Sequence, residues 1–267
     1  MLTADFVRAD GRDLNVRPRI NPNGARVLQF LNLLPNAAGT RPALSRGESK
    51  YTALITGLKR RMTNDFDFGI TYTLAEARSQ IGTASDELNA NLLQDSTLLD
   101  DDPRVYGPTS RTDSRHSGAL SMVWQAKGFT VAPTYFYRSP LPVQTITGRD
   151  VNLNGENNDL PEYAFQFTGI GEAPKDIGPC ETWNCSRGAW RTQMNLRLTW
   201  VPIGPGRMRL EAIAEVFNLL NAKNPNFTIV NNQTSALFMK PDAYAGDFQQ
   251  PEQRVGQIGF RFSFQSV

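Results

Sequence analysis

The run Val255-Gly256-Gln257-Ile258-Gly259-Phe260-Arg261-Phe262-Ser263-Phe264 limits what this chain can fold into more than any other stretch. Ile258, Phe260, Phe262 and Phe264 alternate with Gln257, Gly259, Arg261 and Ser263. A β-strand sends successive side chains to opposite faces, so this run has one aromatic, apolar face and one polar face. In a soluble sandwich, the apolar face turns inward against a second sheet. In a membrane barrel it meets lipid, and the polar face lines a wet lumen. The run alone is compatible with both.

The same alternation returns along the chain. Phe66, Phe68, Ile70, Tyr72 and Leu74 share one face, and Gly118 to Trp124 resumes the pattern. Phe129, Val131, Tyr135 and Tyr137 share a face of a strand that contains Pro133, which implies a sheet edge or a bulge. Met194, Leu196, Leu198 and Trp200 oppose Gln193, Asn195, Arg197 and Thr199. Met208, Leu210, Ala212, Ala214 and Val216 alternate with Arg207, Arg209, Glu211, Ile213 and Glu215. Residues 2–8 and 51–60 read as two more strands, and the apolar run 27–34 as either a strand extension or part of a loop.

The connections carry a second pattern. Short turns at 61–64, 126–128 and 202–206 alternate with long polar segments at 78–113, 139–189 and 218–254. Compact soluble domains seldom hold several loops of that length. A meander with short turns at one end and long loops at the other has the layout of an outer-membrane barrel. The expected fold is therefore all-β: an antiparallel meander of about eight to nine long strands within a transmembrane outer-membrane β-barrel. Its short turns would be periplasmic and its long loops extracellular. On that layout Arg197, Arg207, Arg209, Glu211, Glu215 and Arg261 face the lumen, and Asp67 joins them. Phe66, Trp124, Phe129, Tyr137, Trp200 and Phe264, near strand ends, fit interfacial girdles or ordinary sheet packing.

Composition narrows the function. The 28 Lys and Arg nearly balance the 26 Asp and Glu, which argues against nucleic acid as a partner. No apolar run approaches the ~18–20 residues that a membrane helix needs, which leaves a barrel untouched. A single histidine, His116, removes most zinc and histidine-dependent schemes, and no nucleophile–base pair stands out, so no enzymatic role is expected. His116 reads as a hydrogen-bonded structural residue, and Asp100, Asp101 and Asp102 as a solvated loop face. The start Met1-Leu2-Thr3-Ala4-Asp5 is no export signal, so an exported protein is expected to extend beyond it.

Two loop features carry chemistry. Asp150, Asn152, Asn154 and Gly155 occupy the first, third, fifth and sixth positions of a calcium-loop pattern, and Asp159 follows. The twelfth position is Pro161 rather than a bidentate Glu, so a polar turn built from Asx side chains is the alternative to a structural calcium. No other cofactor is implied. Cys180 and Cys185 lie in a long loop; export favours a disulfide between them, with a free pair or a soft-metal site as alternatives.

Glu215-Val216-Phe217-Asn218-Leu219-Leu220-Asn221 resembles the E-V-F-N-L-x-N segment near the C-terminus of TonB-dependent outer-membrane receptors. More specifically, the chain resembles the Oar-like receptors that carry a carboxypeptidase regulatory-like domain. Ser49 to Leu54 with Lys59-Arg60-Arg61, Ile70-Thr71-Tyr72-Thr73-Leu74 and Asp113-Ser114-Arg115-His116 match further motifs, as does Thr147-Gly148-Arg149-Asp150 with Asn152-Leu153-Asn154-Gly155. The resemblance runs from about Leu2 to Phe264; the three residues after Phe264 depart from the usual aromatic terminus. It implies energised uptake of a bulky ligand through a plugged barrel of about 22 strands, of which residues 1–267 would be the C-terminal part. The implied partners are outer-membrane lipid, the protein's own N-terminal strands and plug, the TonB complex reached through that missing part, and an extracellular ligand. The implied location is the Gram-negative outer membrane. A passive porin-like or structural barrel is the first alternative, and a soluble β-sandwich binding domain the second.

Overall fold

The computed structural model describes residues 1–16, 44–80, 106–109, 112–149, 151, 159–169, 172–203, 208–224, 230–240 and 254–264. The first strands are β1 (Leu2–Val16), β2 (Leu44–Thr63), β3 (Phe66–Ser79) and the short β4 (Gly107–Pro108). Next come β5 (His116–Ala126), β6 (Phe129–Arg138) and four short strands. These are β7 (Pro142–Val143), β8 (Tyr163–Gln166), β9 (Lys175–Pro179) and β10 (Ser186–Arg187). The last are β11 (Arg191–Ile203), β12 (Met208–Phe217) and β13 (Val255–Phe264).

The eight long strands form one antiparallel sheet in the order β1-β2-β3-β5-β6-β11-β12-β13, with β4 added beside β3. Each long strand pairs with the next in sequence, so the meander is complete across the described residues. The register is staggered as in a tilted barrel wall. A ladder leaving β2 at Leu58, near its short-turn end, passes Ile70, Leu120 and Tyr135 and reaches β11 at Met194, near its loop end.

Register also fixes the faces. The row Trp124, Val131, Leu198, Ala214 and Ile258 runs unbroken across five strands on one side. That side is open: Ile258 is 77% exposed, Phe260 70% and Phe262 60%. The chain therefore does not adopt the sandwich, which needs this face buried against a second layer. Over the middle of the strands the sheet carries its large apolar residues outward, and its ionic residues lie on the reverse face and at the strand ends.

Three details differ from the sequence expectation. First, the strands are longer: β1 continues to Val16 and β2 starts at Leu44. Beyond Phe6, Leu54 and Leu74 the outward positions become Arg8, Thr52 and Glu76, so hydrophobic alternation stops marking the strand before pairing ends. Second, the β2–β3 turn is Asn64-Asp65, not 61–64. Both residues have positive φ, 51° and 61°, the conformation that matches the twist of a two-residue hairpin. Third, Pro133 lies on an interior strand, between β5 and β11. It keeps its place opposite Leu196, while the β5 ladder omits the pairs between Ser121–Thr134 and Trp124–Val131 without a register shift. The missing N–H thus interrupts one ladder locally and makes no bulge. The run 27–34 lies outside the described residues.

Candidate functional site: the polar face and the loop lobe above it

β11, β12 and β13 bring the ionic residues of the polar face into register. Arg197 stands opposite Glu215, and Glu215 opposite Gln257; Glu211 stands opposite Arg261. Arg197 Nη1 lies 3.3 Å from Glu215 Oε1, and Arg261 Nη1 lies 3.4 Å from Glu211 Oε2. Gln257 also donates to the Glu215 carboxylate. Arg209 shares this face opposite Ser263. Arg207 lies outside the described residues. Between β3 and β11 the middle of the face carries no charge, and Asp67 lies nearer the short turns. Gly69, Thr71, Ala119, Phe136, Gln193 and Asn195 line an open groove of 340 Å³.

The long loops are not featureless. Strands β7, β10, β8 and β9 form a second, four-stranded sheet within the 139–190 connection. Phe167 and Met239, 8% and 2% exposed, join that connection to the 230–240 segment, with Val143, Phe165, Ala189 and Phe238 packed around them. Phe165 meets Phe238 edge to face, with centroids 5.1 Å apart. Ile146 pairs with Asn232: its N–H donates to Asn231 O at 2.9 Å, and its carbonyl accepts from Gln233 N at 3.0 Å. Cys180 and Cys185 are disulfide-bonded, with sulfurs 2.01 Å apart. Thr145 and Ser186 are fully buried with their hydroxyls 2.7 Å apart, and Phe165 N donates to Ser186 Oγ at 2.9 Å.

This lobe is fastened to the sheet on the polar side. Asp113, 1% exposed, accepts from Ala77 N through Oδ1 at 2.9 Å and from Arg187 Nη1 through Oδ2 at 2.9 Å. Asn184 Nδ2 donates to Pro108 O at 2.9 Å. Where the lobe attaches, the polar-face residues Ala75, Ala77 and Ser79 fall to 6%, 4% and 3% exposure, while the outward Leu74 stays at 39%. The loops therefore fold towards the polar face. Sequence reasoning found Asp113 only as part of a motif and missed Arg187. The alternation of Tyr163, Phe165 and Phe167 in a polar stretch was the available signal for the small sheet.

Asn218 of the E-V-F-N segment ends β12 in a left-handed conformation, φ 50°. Its side chain accepts from Ala222 N at 2.8 Å and donates to Ala222 O at 3.0 Å, while Asn195 Oδ1 accepts from Asn218 N at 3.0 Å. Asn224 then bonds both backbone groups of Thr192 through its amide, at 3.0 Å each, in place of a strand partner. The motif is thus a device for leaving the sheet. His116 binds Tyr72 Oη through Nδ1 at 2.7 Å, a structural contact at the loop end of the sheet.

Of the calcium-loop residues, Asp150, Asn152 and Asn154 lie outside the described residues. Asp159 is 4% exposed and accepts from Val151 N at 2.5 Å. Among the described residues no cluster of three metal-ligating side chains occurs.

Two solved structures are similar to this chain. The outer membrane transporter YddB from Escherichia coli superposes with a TM-score of 0.51 at 13% identity, covering 97% of this chain and 30% of that one. The ferric-catecholate import receptor Fiu from E. coli K12, in its closed form, gives 0.49 at 11% identity, over 98% of this chain and 24% of that one. The chain thus spans less than a third of either protein, and its likeness to YddB is one of fold. No curated protein sequence matches it. The family described as outer membrane beta barrel domain matches residues 1–257, nearly the whole chain. An open lipid-facing band, a charged reverse face and that match together assign the chain to the outer membrane β-barrel domain family of Gram-negative outer membranes.

Proposed function

We propose that this chain is the C-terminal wall of a TonB-dependent receptor of the Oar-like type, which takes up a bulky ligand using energy supplied by the TonB complex. The observation that carries this reading is the coupling of a charged sheet face to a folded loop lobe on the same side. A transport path needs a polar wall, and a receptor needs an ordered extracellular surface above it. In this reading Arg197, Arg207, Arg209, Glu211, Glu215 and Arg261 line the lumen. The sheet is open at β1 and β13, and bare strand edges are costly in lipid because their backbone groups find no water. Further strands and a plug from the same protein would complete the barrel. In this reading the role is transport rather than catalysis.

The test uses the whole protein purified from outer membranes. Binding to the periplasmic domain of TonB, with closed behaviour in planar bilayers, is the expected result. Steady open conductance with no TonB binding would instead establish a passive barrel.

A further inference from the structure

We propose that the uncharged groove on the polar face is a saccharide subsite, which makes a neutral glycan the class of ligand in the transport reading on which this inference rests. Two rows in register build the groove. Ala119, Phe136 and Gln193 stand opposite one another across β5, β6 and β11, and Ser121, Thr134 and Asn195 form the next row. The other aromatic residues of β6, Phe129, Tyr135 and Tyr137, lie on the outward side, as do Phe66, Phe68 and Tyr72 of β3. Phe136 is the exception. It turns its ring to the wet face and stays 39% exposed there. Bare aromatic surface in water is unfavourable, so the ring marks a place where a ligand gains by covering it. Ala119 beside it has no side chain long enough to do so.

The surroundings select what covers the ring. Among the described residues, the side chains of Gln193, Thr134 and Ser121 make no hydrogen bond, so their amide and hydroxyl groups are uncommitted. Asn195 Oδ1 accepts from Asn218 N at 3.0 Å, which orients that amide and leaves its Nδ2 donor over. The backbone of β6 at this level is held in ladders to β5 and β11, so an extended peptide finds no strand edge to pair with. No lining residue is charged; charge returns in the adjacent rows, at Arg138 and Arg191 towards the loops and at Arg197 towards the short turns. A charged chelate or an acidic peptide would meet no counter-charge inside the groove. A pyranose ring has a face of weakly positive C–H groups and an edge of hydroxyls. The face stacks on the negative face of an aromatic ring, and the edge exchanges hydrogen bonds with carboxamides, which hold a donor and an acceptor side by side. At 340 Å³ the groove falls at the small end of the roughly 300–1,000 Å³ range of ligand sites, so it grips one segment of a longer glycan.

The experiment titrates the whole protein in detergent, by calorimetry, with the neutral saccharides maltohexaose, cellohexaose, laminarihexaose and mannohexaose, and with hexagalacturonate as a charged counterpart. Phe136→Ala, Phe136→Leu and Phe136→Trp are compared with Arg60→Ala, which alters the short-turn end of β2. A neutral hexasaccharide should bind the unmodified protein and Arg60→Ala alike, and hexagalacturonate should bind more weakly. Phe136→Ala should lose affinity by about tenfold, the scale of a lost ring stack, and Phe136→Trp should keep it. Phe136→Leu retains bulk without a ring and should lose affinity as well, so the test survives if the alanine variant fails to fold. Binding of none of the neutral saccharides, or equal binding of hexagalacturonate, overturns the proposal. So does unchanged affinity in the ringless variants with a lowered unfolding temperature, which would assign the ring to packing within the protein itself. A protein that binds TonB but none of these saccharides keeps the transport reading and loses the subsite. Saccharide binding without TonB binding keeps the subsite and loses the transport reading.

Discussion

Arg187, in the loop lobe, donates to the carboxylate of Asp113 across 74 residues of sequence, at 2.9 Å. Asp113 is 1% exposed and also accepts from the backbone of β3, so one side chain ties the lobe to the sheet. Removing one partner of a buried pair leaves a desolvated charge behind. Asp113→Ala should therefore destabilise the lobe by roughly 3–5 kcal/mol. Trp183 reports on this directly. It is 4% exposed, while Trp124, Trp190 and Trp200 already stand at 46%, 55% and 46%. Acrylamide quenching should gain one accessible tryptophan in the variant; unchanged quenching would show that the lobe holds without this tie.

The disulfide acts inside the lobe. Closing so short a loop removes roughly 2 kcal/mol of unfolded-state entropy in the chain-entropy picture. Reduction, or Cys180→Ser with Cys185→Ser, should speed amide exchange over residues 180–188 and leave β11 and β12 unchanged. Loss of protection along the long strands would mean that the bond supports the whole sheet.

Neighbouring residues on β12 test the assignment of faces. Ala214 belongs to the outward row with Ile258 and Leu198, whereas Ile213 lies between Glu211 and Glu215 on the polar face. Lysine on the lipid face of a barrel costs about 2–4 kcal/mol at mid-membrane. Ala214→Lys should lower stability by that order in urea unfolding from lipid vesicles, and Ile213→Lys by much less. Equal penalties would remove the distinction between the faces.

The alternation made the long strands legible because each has one greasy side, as Ile258, Phe260 and Phe262 show. It failed where that condition failed. Arg61 and Met62 continue β2 in a stretch rich in charge, so the alternation places the turn there, although the positive φ angles fall at Asn64 and Asp65. Lys50 and Arg78 likewise belong to paired strands that have left the apolar band. The packing of the lobe was illegible for another reason. Its core joins Phe167 to Met239 from different loops, and no local period encodes a contact between them. Asp113 had a motif around it, but its partner Arg187 lay in a segment with no pattern of its own.

The ionic ladder should matter little to stability. Arg197 and Arg261 are 45% and 62% exposed in their pairs with Glu215 and Glu211, and exposed pairs are worth about 0.2–1 kcal/mol. Arg261→Ala should leave urea unfolding within that range. In the lumen reading it should still shift the charge preference of the pathway. Ion selectivity, measured on a plug-deleted form of the whole protein, should move towards cations. A large stability loss with unchanged selectivity would make the pair structural.

Calcium is tested at the Asp150 loop. Asp159, at the base of that loop, already receives a hydrogen bond from Val151 N, so its carboxylate is oriented by the backbone. If Asp150, Asn152, Asn154 and Asp159 surround a calcium ion, titration calorimetry should show one site that Asp150→Ala weakens at least tenfold, because a hard cation held by few carboxylates depends on each charge. The ion should also slow proteolysis between residues 150 and 159. Identical calorimetric traces for the variant and the unmodified protein would leave a polar turn held by Asx side chains.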